Sequence, residues 1–98
     1  MADPNEDPRL RSIRWRILLL DEMEEDLKIE LDSIELNMSI SIRWTEITER
    51  TGSQTAENIR MNAAVREGIK GEIALIQVQR EELQEKAREI RESLPSVE

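Results

Sequence analysis

Apolar residues recur along this chain at alternating spacings of three and four. The first run comprises Leu10, Ile13, Ile17, Leu20, Leu27, Leu31, Ile34 and Met38, and only Glu24 occupies a seam position with a charge. Such a period places one apolar stripe along an α-helix, and a heptad stripe sustained for about four heptads predicts a coiled-coil helix. Asp7-Pro8 is a start signal, with Asp as N-cap and Pro at the first helical position. The serines around Asn37–Ser41 predict that this helix, over residues 8–38, stops there. Leu18, Leu19, Met23 and Ile29 fall off the seam and widen the apolar surface.

The last third repeats the pattern. Ile69, Ile73, Ile76, Leu83, Ala87, Ile90 and Leu94 follow the same spacing, Arg80 is the one charged interruption, and Pro95 ends the run. A coiled-coil helix is therefore expected over 69–94. If the two long helices pack antiparallel with Leu10 opposite Leu94, Glu24 falls opposite Arg80. A charge pair inside an apolar seam contributes little net stability but penalises slipped registers. The alternative is that both side chains reach out to solvent.

Between the long segments, residues 42–67 predict two shorter helices. The first, from Ile42 to Arg50, would bury Trp44 and Ile47; Gly52 suits a left-handed position after it, and Ser53 suits the next N-cap. The following helix opens at Gln54 with Ala56, Ile59 and Ala63 on one side. Gly68 and Gly71 are places where it could kink or break, although Met61 and Val65 continue toward Ile69 in a way that allows one rod. The fold class expected is all-α, a long helical hairpin or coiled coil with a central helix-turn-helix-like insertion. Residues 1–7 are expected to be disordered and 8–98 to form one domain.

Trp44, Glu46, Ile47 and Gly52, in the stretch RWTEITERTGSQTAENIR, resemble the helix-turn-helix motif of small proteins common in actinobacteria and their phages and plasmids. The resemblance covers about a third of the chain, with a looser match to the long preceding helix. It departs from the family pattern at Thr51 and Ser53, where Leu and Val are usual, and Glu57 would face phosphates. The resemblance implies a recognition helix that presents its N-terminus to a DNA groove. Ser53, Gln54, Thr55 and Asn58 would then meet bases and phosphates, with Arg43 and Arg60 as phosphate partners.

Charge complicates that expectation. The net charge is −8 over 98 residues, and a DNA-binding surface needs Lys and Arg. The acids concentrate in residues 21–35, whereas the segment from Met38 to Lys70 is close to neutral. Arg9, Arg11, Arg14 and Arg16 form a basic start to the first helix, expected to meet Glu85, Glu89 and Glu92 in salt bridges.

Catalytic chemistry is not legible. There is no His or Cys, which excludes thiol nucleophiles, disulfides, His acid–base catalysis and His/Cys zinc sites. Glu22 with Glu25, and Glu82 with Glu85, have the helical spacing of magnesium-binding carboxylate pairs, but no nucleotide-binding residues accompany them, and solvated helix faces account for them better. We expect no enzyme activity, no cofactor and no metal. No apolar run would span a membrane, so the chain is expected to be soluble and cytoplasmic.

The leading expectation is a small DNA-binding regulator, a homodimer on double-stranded DNA. The alternative is a coiled-coil interaction protein, adaptor or anti-sigma-like, that binds a helical partner without DNA. Ile13, Trp15, Ile17, Leu20, Glu24, Leu27, Ile76, Arg80 and Leu83 are the expected seam and oligomer residues.

Overall fold

The computed structural model describes residues 6–48 and 52–95. Two α-helices account for nearly all of them: α1, Pro8–Thr48, and α2, Ser53–Ser93, each of 41 residues. They pack along one another as a hairpin measuring 74 × 23 × 16 Å. At 1.5 Å of rise per residue, 41 residues give a rod of about 60 Å, so the molecule is barely longer than either helix. The all-α hairpin expected from the periodicity is the fold.

The middle of the chain differs from expectation. α1 does not stop at Asn37–Ser41 but continues to Thr48, and α2 passes through Gly68 and Gly71 without a break. Among the described residues there is no inserted pair of short helices; the helices expected over residues 42–67 are the tip ends of the two rods. The physical reason lies in cooperativity. Each serine costs a growing helix only a few tenths of a kcal/mol, less than the cost of nucleating a new helix after a break. The heptad also stays in phase: Met38, Ser41, Thr45 and Thr48 carry the seam of α1 onward, and all are buried or half-buried. The threonine hydroxyls are satisfied by their own helix, Thr45 Oγ1 donating to the Ser41 carbonyl at 3.1 Å and Thr48 Oγ1 to the Trp44 carbonyl at 2.9 Å.

The ends follow the expected chemistry more closely. The Arg9 N–H donates to the Asp7 carboxylate at 2.8 Å, so Asp7 caps α1 ahead of Pro8. At the far end Leu94, just before Pro95, has extended backbone and its N–H reaches the Arg91 carbonyl. Gly52 is not left-handed: its φ of −66° and ψ of 152° make it the extended N-cap of α2, with Ser53 already inside the helix. Residues 1–5 and 49–51 lie outside the described residues, and with them most of the segment expected to be disordered and the end of the helix expected to reach Arg50. Glu6 and Asp7 are placed, in ion pairs with Arg14 and Arg9.

The core is a single thin seam. Ile13, Met38, Ile69, Ile76, Ala87 and Ile90 are its buried apolar residues, with Ile17, Leu20, Leu27 and Leu83 half-buried beside them. Leu10 joins the cluster of Ile13, Ala87 and Ile90, while Leu94, beyond the last turn of α2, is largely exposed. Toward the tip the seam turns polar, with Ser41, Thr45 and Thr48 on α1 and Thr55, Asn62 and Arg66 on α2 half-buried.

Candidate interaction surfaces

Glu24 and Arg80, the two charged seam residues, do meet. Arg80 Nη2 donates to Glu24 Oε2 at 2.8 Å, and Arg80 Nε lies 2.9 Å from Asp21 Oδ1. Lys28 Nζ is 3.7 Å from the other Glu24 oxygen, one turn along α1. Glu24 is only 6% exposed, the one buried charge among the described residues. The hydrogen bond from Arg80 holds the Glu24 carboxyl below the usual carboxylate range, against the opposing effect of burial. The same bond raises the Arg80 guanidinium above its ordinary value. Any slip of register would leave this carboxylate in the seam without its partner, so the pair fixes which turn of α1 faces which turn of α2.

The residues expected to contact DNA are distributed differently from a groove-reading surface. A helix-turn-helix sets its two helices at roughly 90–120° across a short turn; here the corresponding segments are the ends of rods packed side by side. Trp44 and Ile47, expected to anchor the first short helix in a core, are 61% and 68% exposed. Ser53, Gln54 and Asn58 are exposed on the first turns of α2, but Thr55 is turned into the seam and half-buried. Arg60 is engaged by Glu57 one turn earlier, which offsets its charge locally. Arg43 is exposed and lines a shallow depression with Glu35, Met38, Ser39, Glu46 and Arg66.

The basic start of α1 pairs locally, not with α2. Arg9 meets Asp7, and Arg11 and Arg14 meet Glu6, whereas Arg88 takes up Glu85 and Glu92 within α2. The local partners win because Glu6 and Asp7 lie within about two turns of these arginines on the same side, so no long side chain has to cross the seam. Among the described residues, no acidic group is arranged to hold a metal ion. Glu22 with Glu25 and Glu82 with Glu85 lie outside the seam on different helices, exposed rather than converging. No helix among the described residues is long and apolar enough to cross a membrane.

What the periodicity of one seam does not show is the opposite side of α1. Trp15, expected among the seam and oligomer residues as part of the surplus apolar surface of the first helix, is 63% exposed. It opens a second run at heptad spacing, Trp15, Leu19, Ile29, Leu36, Ile40 and Ile47, all exposed. Glu22, Asp26, Ser33 and Arg43 fill the intervening positions of the same stripe. The signal was present in the sequence as the surplus of apolar residues off the first seam. No family model, curated protein or solved structure matches this chain. Its surfaces carry the functional argument alone.

Proposed function

We propose that this protein is a coiled-coil interaction module that works by binding another helix, an adaptor-type role rather than catalysis. The supporting observation is the apolar stripe left uncovered along the back of α1. A chain of 11.4 kDa that folds compactly exposes about 5,800 Å². This hairpin exposes 7860 Å², as a thin rod must, and six large apolar side chains of that one stripe are part of the exposed surface. Large exposed apolar patches on water-facing helices mark association surfaces. The seam-fixing Glu24–Arg80 pair serves this role by holding the two helices in one register, so that the outer stripe is presented as a rigid surface.

DNA binding at the hairpin tip is the second reading, favoured by the joint exposure of Ser53, Gln54 and Asn58 at the N-terminus of α2. Against it stand the locally neutralised surroundings of Arg60 and the side-by-side packing of the two motif segments, in place of the steep crossing of a helix-turn-helix. Fluorescence anisotropy with mixed duplex fragments separates the readings, at low and at physiological salt, for the wild type and Arg60→Ala. The interaction-module reading predicts no salt-sensitive binding. Binding that falls steeply with salt and with the substitution would establish phosphate contact and move the function to DNA.

A further inference from the structure

The stripe on the back of α1 has a charge pattern that specifies its occupant. Resting on the interaction-module reading, we infer that it is covered by the same stripe of a second copy, α1 against α1, antiparallel about Ser33.

The pattern along the stripe carries the argument. Leu19 lies fourteen residues before Ser33 and Ile47 fourteen after it, so an antiparallel partner brings each Leu19 to the other copy's Ile47. Ile29 and Leu36, four before and three after, meet in the same way. Arg43, ten residues after Ser33, arrives between Glu22 and Asp26, which lie eleven and seven before it. This repeats across two copies what Arg80 does within one, where a single guanidinium is held by Glu24 and Asp21. Ser33, small and central, allows close approach on the two-fold axis. The contact is isologous and closes after two subunits.

The other arrangements oppose like charges. A parallel pairing of the two stripes sets Glu22 and Asp26 against their own copies and Arg43 against Arg43. The back of α2 offers Met61, Leu75 and Val78, and then Glu81, Glu82, Glu85 and Glu89 around the single base Lys86, so Glu22 and Asp26 would meet net negative charge there. The antiparallel α1 pairing sets each Arg43 beside both acids of the other copy's stripe.

The area is adequate. Six stripe side chains at about 60% exposure, among them Trp15, leave on the order of 100 Å² each. Trp15, eighteen residues before Ser33, lies past the partner's α1, so the other five with the flanking Trp44 and Met23 come to roughly 700 Å² per copy, within the range a stable dimer buries.

The chain has no cysteine, so single cysteines report geometry without background. We would measure self-association by sedimentation equilibrium for the wild type, Arg43→Glu, and Arg43→Glu combined with Glu22→Arg and Asp26→Arg. In parallel, Ser33→Cys and Ser12→Cys would be oxidised and run on non-reducing gels. The expected results are a dimer, a loss of roughly tenfold or more in affinity for Arg43→Glu, and recovery in the triple charge-swapped variant. Ser33→Cys should cross-link, while Ser12→Cys, about 60 Å from its counterpart, should not. Far-UV circular dichroism confirms that each variant remains helical, and the charge swap keeps the test decisive should Arg43→Glu alone lose structure. Cross-linking at both serines, or a dimer indifferent to Arg43→Glu and its swap, overturns the antiparallel register. A chain monomeric at all concentrations overturns self-pairing yet leaves the interaction-module reading standing, whereas salt-sensitive DNA binding removes that reading itself.

Discussion

Adjacent residues on α2 give the sharpest test of the hairpin's energetics. Ile76 is 4% exposed in the seam and Leu75, its neighbour, is 58% exposed on the outer side. Substituting each by alanine removes three carbons in both cases, so side-chain chemistry is nearly matched and only the face differs. At about 0.8 kcal/mol per buried methylene, Ile76→Ala loses roughly 2.5 kcal/mol of transfer free energy. A cavity contribution is added, but a two-helix seam is open at its sides and can close partly around the gap. The total therefore belongs at the low end of the range for buried truncations, about 2–3 kcal/mol. Leu75→Ala should cost less than about 0.5 kcal/mol, since most of its surface stays in water and alanine is a slightly better helix former. For a domain this size, each kcal/mol moves the melting temperature by about 4–8 °C, so the two variants should separate by about 6–20 °C. Thermal and urea unfolding, followed by far-UV circular dichroism at a concentration where the chain is monomeric, reads the difference. Equal losses, or a larger loss for Leu75→Ala, would mean that the helices face each other through a different stripe and would refute the register.

Other perturbations probe separate features. Ser39→Pro removes a backbone donor in mid-helix and should cost about 3 kcal/mol, seen as a lower urea midpoint; a tolerated proline would mean that α1 is broken near Asn37–Ser41. A Cβ built at Gly68 or Gly71 meets nothing within 4 Å, so alanine at either position should stabilise monomeric α2 by about 0.5–1 kcal/mol. Because the Glu24 carboxyl is held below its unfolded value, its contribution is complete above the ordinary glutamate value of 4.5 and is lost as pH falls through the lower folded value. An acid titration of stability should accordingly be less steep below that point in Glu24→Gln than in the wild type, and identical slopes would show that the carboxylate is not specifically held by Arg80.

Much of this fold was written in the heptads. Spacing alone located both long helices and, through the two charged interruptions, predicted that Glu24 and Arg80 meet. Asp7-Pro8 and Pro95 marked the outer ends because capping is local chemistry. The tip was misjudged for the opposite reason. Ser39 and Ser41, Gly52 and Ser53 are strong local signals for ends and turns, yet helix continuity is decided by neighbours over many residues. The in-phase seam through Met38, Ser41, Thr45 and Thr48 outweighed propensity. Trp44 and Ile47 were expected in a core because large apolar residues usually are buried; in a two-helix hairpin there is only one seam, and residues off it stay exposed. The same geometry explains Trp15. Its place outside the first stripe was visible, but that the leftover apolar residues form a second ordered stripe follows only once α1 is known to be unbroken from Pro8 to Thr48.

Intrinsic tryptophan fluorescence tests most directly whether the back of α1 is a covered protein-binding face. Both tryptophans, Trp15 and Trp44, lie on or beside that stripe near its two ends, and the chain has no tyrosine to interfere. Emission should be shifted toward the blue at high protein concentration and move to the long wavelengths of water-exposed indole on dilution, with the same midpoint as dissociation by sedimentation. Long-wavelength emission at every concentration, in a chain that remains helical and sediments as a dimer, would contradict it by showing that association leaves this face bare.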